Sequence, residues 1–157
     1  MTDIKSLIKV PLMIAVVVIV ARVILEQAGA SGAVNAIFGV SWLHLLVPFY
    51  LAMRIAKLGA AKPFLTLLAS LSVFTLLVRL LVAATYGLAY KLSLGAPRFQ
   101  AEGGGVVGDG VTPLEGYLLI PFQNLVITGA AVIVIGMILG GITLAILRRR
   151  APAASTT

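Results

Sequence analysis

The sequence contains no cysteine and a single histidine, His44. The first absence removes disulfides, thiolate zinc sites and iron–sulfur ligation. The second removes multi-histidine metal centres and bis-histidine haem within one chain, so no metal and no cofactor is expected. Charge is scarce too: only 11% of the residues are Asp, Glu, Lys or Arg, where a soluble domain carries about 25%. One histidine and few carboxylates make a poor acid–base set, and no Ser or Thr has an evident activating base. An enzyme is therefore not expected.

Apolar side chains fill the sequence instead. They make up 61% of the 157 residues, and the mean hydropathy is +1.12. Polar surface could not cover that much apolar side chain in water, whereas a lipid bilayer makes covering it unnecessary. The net charge of +7 does not indicate nucleic acid, because the basic residues mark the ends of apolar runs and form no patch with interleaved aromatics.

The sequence has four such runs, over about 10–28, 35–57, 63–91 and 121–147. A helix rises about 1.5 Å per residue, so about 20 residues cross a hydrocarbon core ~30 Å thick. Each run reaches that length once the flanking residues of the first are included. The expected fold is an all-α integral membrane protein, a four-helix up-down transmembrane bundle forming a single domain over 1–157. Lys5, Lys9, Arg54, Lys57, Lys62 and Arg148, Arg149 and Arg150 gather on one side of this arrangement. The other side has Lys91 and Arg98 in its long connection. The positive side faces the cytoplasm, which puts both termini inside and suggests a bacterial plasma membrane. A cleavable leader would use Lys5 and Lys9 as its basic start and Ala28-Gly29-Ala30 as its cleavage site, but Arg22 and Glu26 are unwelcome in or beside its apolar stretch.

Two short links, about Ala28–Val34 and Leu58–Lys62, force neighbouring helices to run antiparallel. The outer loop over 95–116 is glycine-rich. Its Gly103-x-Gly105-x-x-Gly108 formally matches a dinucleotide fingerprint, but no strand precedes it and no helix opens directly after it. The composition points to a flexible or irregular loop, with a lid over an outward-facing cavity as the alternative. At its end, Thr112-Pro113-Leu114-Glu115 has the pattern of a capped helix start. A short interfacial helix over 113–120 is expected there, with a kink at Pro121 before the fourth span.

Ionisable groups inside a membrane are costly and mark sites worth weighing. Arg22 and Glu26 are one turn apart on the first span. Arg79 sits on the third span, roughly 25 Å of helix beyond Lys62, in a polar stripe with Ser72, Thr75, Tyr86 and Tyr90. Glu26 is the acidic side chain at a matching depth, so an Arg79–Glu26 contact is expected, direct or through Arg22 or water. Gln123 and Asn124 enter the same outer half from the fourth span. Arg22, Glu26, Arg79, Tyr86, Gln123 and Asn124 thus form an expected outer polar cluster. His44 is expected to hydrogen-bond a serine or a backbone carbonyl, with proton relay as the alternative. Gly129, Gly136 and Gly140 share one face of the fourth span and suit close helix packing, within the chain or between copies.

The function expected from these features is a non-catalytic subunit or assembly partner of a membrane complex. The alternative is a small oligomeric transporter or channel using the cluster around Arg79 and Glu26. The expected partners are the bilayer and other membrane subunits or a second copy of the chain, and no nucleic acid.

Overall fold

The computed structural model describes residues 3–150. Residues 1–2 and 151–157, the ends of the domain expected over 1–157, lie outside the described residues. The described chain is all-helical, with four helices long and apolar enough to cross a membrane: Ile4–Gln27, Gly32–Lys57, Pro63–Leu92 and Glu115–Arg149.

Helix α1 (Ile4–Gln27) begins earlier than the hydropathy suggested and runs through the buried Pro11. Its N-cap is Asp3, whose carboxylate accepts from the Lys5 amide at 3.0 Å. The second span is broken, in contrast to the uninterrupted run expected over 35–57. Helix α2 (Gly32–Ile37) stops at Phe38, and helix α3 (Ser41–Lys57) resumes after a turn at Gly39. Gly39 lies close to its neighbours: an added Cβ would be 3.1 Å from the Ala36 carbonyl oxygen and 3.4 Å from Arg22 Nη1. Helix α4 (Pro63–Leu92) starts on proline and ends at Ser93, which adopts a left-handed conformation with φ of 50°.

The short interfacial helix expected before a kink at Pro121 is not a separate element. The helix starting at Pro113 continues through a π-helical turn (Glu115–Leu119), helix α5 (Ile120–Gln123), a second π-helical turn (Asn124–Thr128) and helix α6 (Gly129–Arg150). Proline lacks an amide hydrogen and its ring crowds the carbonyl four residues back. A wider turn immediately before Pro121 shifts the bonding pattern to five residues and relieves that conflict without ending the helix. The expected capping box does form. The Glu115 amide donates to Thr112 Oγ1 at 3.3 Å, and Glu115 Oε2 accepts from the Thr112 amide at 2.8 Å.

Helix α4 is the central strut and packs against α1, α3 and α6, while α6 also packs against α3. The core between them is aliphatic, built from Leu7, Ala15, Leu51, Ile55, Leu67, Leu71, Phe74 and Val78. The glycine face of α6 is spent inside the chain. A Cβ on Gly140 would lie 3.0 Å from the Pro48 carbonyl oxygen and 3.1 Å from a Leu67 methyl, and one on Gly136 would lie 3.3 Å from Leu71 and Pro48. These glycines let α6 approach α3 and α4 closely. The large apolar side chains on the outer faces, among them Val17, Ile24, Phe122 and Ile127, remain exposed and need an apolar surrounding.

Candidate functional site

The long connection after α4 is a folded unit, where composition suggested a flexible loop. It starts after Leu92, not at 95, and Gly116, counted in that loop from the sequence, is already helical. Two 3₁₀ turns, Pro97–Phe99 and Ala101–Gly103, fold it back on itself. The Val107 amide donates to Phe99 O at 2.7 Å, and the Ala101 amide donates to Val107 O at 2.8 Å. Phe99 and Val106 become fully buried against Ala89 and Ala96. Glycine makes this closure feasible: an added Cβ on Gly105 would overlap the Phe99 backbone, and one on Gly116 would enter the Tyr90 ring. Gly104 and Gly110 adopt φ of 78° and 84°, a region that other residues occupy only with strain. The glycine spacing thus reflects turns and close approaches within the loop.

The folded loop carries Arg98 to the end of α1. Arg98 Nε donates to Glu26 Oε2 at 2.7 Å, and Arg22 Nε donates to Glu26 Oε1 at 2.8 Å. The Glu26 side chain is only 3% exposed, so one buried carboxylate holds two guanidinium groups. Arg98 also stacks 4.2 Å from the Phe99 ring centroid and 5.9 Å from that of Tyr86. Tyr86 meets Phe99 edge-on at 5.3 Å. Burial lowers the Arg98 pKa from its usual value and Glu26 opposes that shift, while an arginine stays charged at any physiological pH. The structure therefore joins Arg22, Glu26 and Tyr86 as the sequence suggested, and adds Arg98 and Phe99. In the sequence Arg98 reads as a charged loop residue on the outer side. Its position beside Phe99, an apolar anchor, was the only local signal.

Arg79 makes no direct bond to Glu26, contrary to the direct form of the expected Arg79–Glu26 contact. Both carboxylate oxygens of Glu26 accept from other arginines. Arg79 instead reaches toward the fourth span, where Nη1 donates to Asn124 Oδ1 at 3.4 Å, a long bond. Gln123 departs from the expected cluster as well: it is exposed, on the opposite face of its helix from the buried Pro121. His44 is buried; no serine bonds its ring, and the acceptor it faces is the Val40 carbonyl one turn back, with no close hydrogen bond at either ring nitrogen among the described residues. Its ring meets Phe74 edge-on at 6.1 Å. The structure thus divides the expected cluster into an ion-paired lock around Glu26, in which Arg98 Nη2 has no partner among the described residues, and a neighbouring buried layer around Arg79, with Tyr86 close to both Arg98 and Arg79.

Two open clefts lie away from the lock. One, of about 820 Å³, lies between the start of α1 and the Leu58–Lys62 turn. The other, of about 220 Å³, is an apolar groove between α1 and α4. Among the described residues no group of three or more His, Cys, Asp or Glu is placed to hold a metal ion. No protein-family model, curated protein or solved structure matches the chain.

Proposed function

We propose that the chain is a multi-pass membrane protein running up-down-up-down, with both ends on the cytoplasmic face of a bacterial plasma membrane, and that it serves as a non-catalytic subunit or assembly partner of a membrane complex. The charge distribution supports the orientation. Lys5, Lys9, Arg54, Lys57, Lys62, Arg148 and Arg149 belong to one end, while the other has Lys91 together with Arg22 and Arg98, which share the Glu26 carboxylate. The positive excess therefore lies with the first group.

The observation that carries the functional reading is the closure of the lock. A substrate site keeps polar groups available to a ligand. Here both oxygens of Glu26 are occupied from within the chain, and Phe99 and Val106 seal the loop above them at zero exposure. Such a polar cluster fixes a shape. A fixed outer cap and four helices with apolar outer faces suit a protein that is held by its neighbours.

Native mass spectrometry of protein extracted in mild detergent tests this reading. The expected result is a foreign polypeptide bound at fixed stoichiometry through successive changes of detergent. A second reading, a small oligomeric transporter or channel, is favoured by the unspent donors around Arg79. A pure homo-oligomer, with solute flux in liposomes that Arg79→Leu abolishes while the fold stays intact, would replace the first reading with the second.

A further inference from the structure

The buried layer beneath the lock holds more hydrogen-bond donors than its protein acceptors can serve. Arg79 is 8% exposed and His44 is 6% exposed. A guanidinium has five N–H donors and no acceptor. Among the described residues Arg79 makes one hydrogen bond, the long one to Asn124, and its Nε has no partner. Thr75, 1% exposed, lies one turn before Arg79 on α4. Its hydroxyl is unpartnered, although Thr66, Thr85 and Thr143 all return theirs to a carbonyl of their own helix at 2.7 to 3.0 Å. The Thr75 hydroxyl is therefore not spent on its own helix.

These groups meet at one level of the bundle. A Cβ placed on Gly129 would lie 3.9 Å from Arg79 Cγ and 4.0 Å from Thr75 Cγ2, so both side chains flank the same glycine of α6. His44 approaches from α3 against Phe74, the residue preceding Thr75. No acidic side chain pairs with Arg79, and both Glu26 oxygens are already taken. A buried cation without a counter-charge is costly in protein and more so in lipid. Water could accept the spare hydrogens but would leave the charge uncompensated.

We propose that this layer is a binding site for a small monovalent anion of halide size. The anion is held by the Arg79 guanidinium and the Thr75 hydroxyl. It supplies the missing charge and the missing acceptor together, beside the bare backbone of Gly129 that the Arg79 and Thr75 side chains flank. The site neighbours the Glu26 lock and does not depend on the subunit reading.

Thermal unfolding of the full-length protein in detergent tests it, with chloride titrated against gluconate at constant ionic strength. The expected result is a saturable rise in Tm of about 2–4 °C with chloride, reproduced by bromide. Arg79→Met abolishes the response. Thr75→Val, which keeps the shape but removes the donor, moves half-saturation to about tenfold higher chloride, equivalent to the loss of roughly one hydrogen bond. Should Arg79→Met fail to fold, Thr75→Val decides the matter alone. Equal Tm in both salts throughout the titration overturns the site, as does a chloride response that Thr75→Val leaves unchanged.

Discussion

Glu26→Gln is expected to destabilise the protein by about 3 kcal/mol, because it removes the one anion that two arginines share. Arg98 and Arg22 have side chains 17% and 25% exposed, so most of their solvation is lost on folding and is not regained when the carboxylate goes. A neutral amide keeps the size of Glu26 but leaves the two guanidinium groups facing each other. The first consequence is local. The loop detaches, and amide hydrogen exchange rises at Ala101 and Val107, whose bonds close it. Thermal unfolding in detergent reads the global part, and exchange over residues 95–111 reads the local part. Combining Glu26→Gln with Arg98→Gln should cost less than the sum of the two, since both break one contact. A melting curve within about 0.5 kcal/mol of wild type, the range of an ordinary surface change, would show that the pair does not hold the loop.

Gly105→Ala is expected to have a comparable effect by a different route. The added methyl would overlap the backbone of Phe99, and a backbone cannot swing aside as a side chain can. Overpacking costs about 1–3 kcal/mol, and this site belongs at the upper end because nothing flexible is available to yield. Phe99 would leave its pocket, taking Arg98 away from Glu26. Gly95→Ala in the same connection, where an added Cβ meets nothing within 4 Å, should stay within about 0.5 kcal/mol of wild type. Tryptic cleavage after Arg98 provides the measurement. It should be fast in Gly105→Ala and slow in both wild type and Gly95→Ala. Equal rates in all three would remove the loop's packed core from the account.

Both substitutions act on features that the sequence carried unevenly. The four apolar runs were plain from composition, because helix length and hydrocarbon thickness leave little freedom. The capping box at Thr112 and Glu115 was equally plain, since it depends on residues three apart in one segment. Pro121 was legible as a problem for a helix but not in its solution. A kink and a π-helical turn answer the same missing amide, and the choice between them depends on packing along the whole length. The break at Gly39 was hidden in an apolar run, where one glycine has many uses; only the approach of Arg22 gives it a purpose.

The lock around Glu26 shows the other limit. Depth along a helix can be counted from sequence, and by depth Arg79 and Glu26 were suitable partners. Rotation and loop folding decided otherwise. Arg98 lies 72 residues from Glu26, in a segment whose glycines read as flexibility until their close approaches were visible. The polar outer half was therefore legible as a region, while its division into an ion-paired lock and an unsatisfied layer was not.

All of this depends on four spans with the lock on the outer face and the Leu58–Lys62 turn on the inner one. Because the chain has no cysteine, single substitutions report on that arrangement without background. The exposed positions Gly32, Asp109, Ala61 and Ser6 are suitable. In intact cells, a membrane-impermeant maleimide should modify Gly32→Cys and Asp109→Cys at once, and should modify Ala61→Cys and Ser6→Cys only after permeabilisation. Modification of Ala61→Cys and Asp109→Cys from the same side would contradict the account.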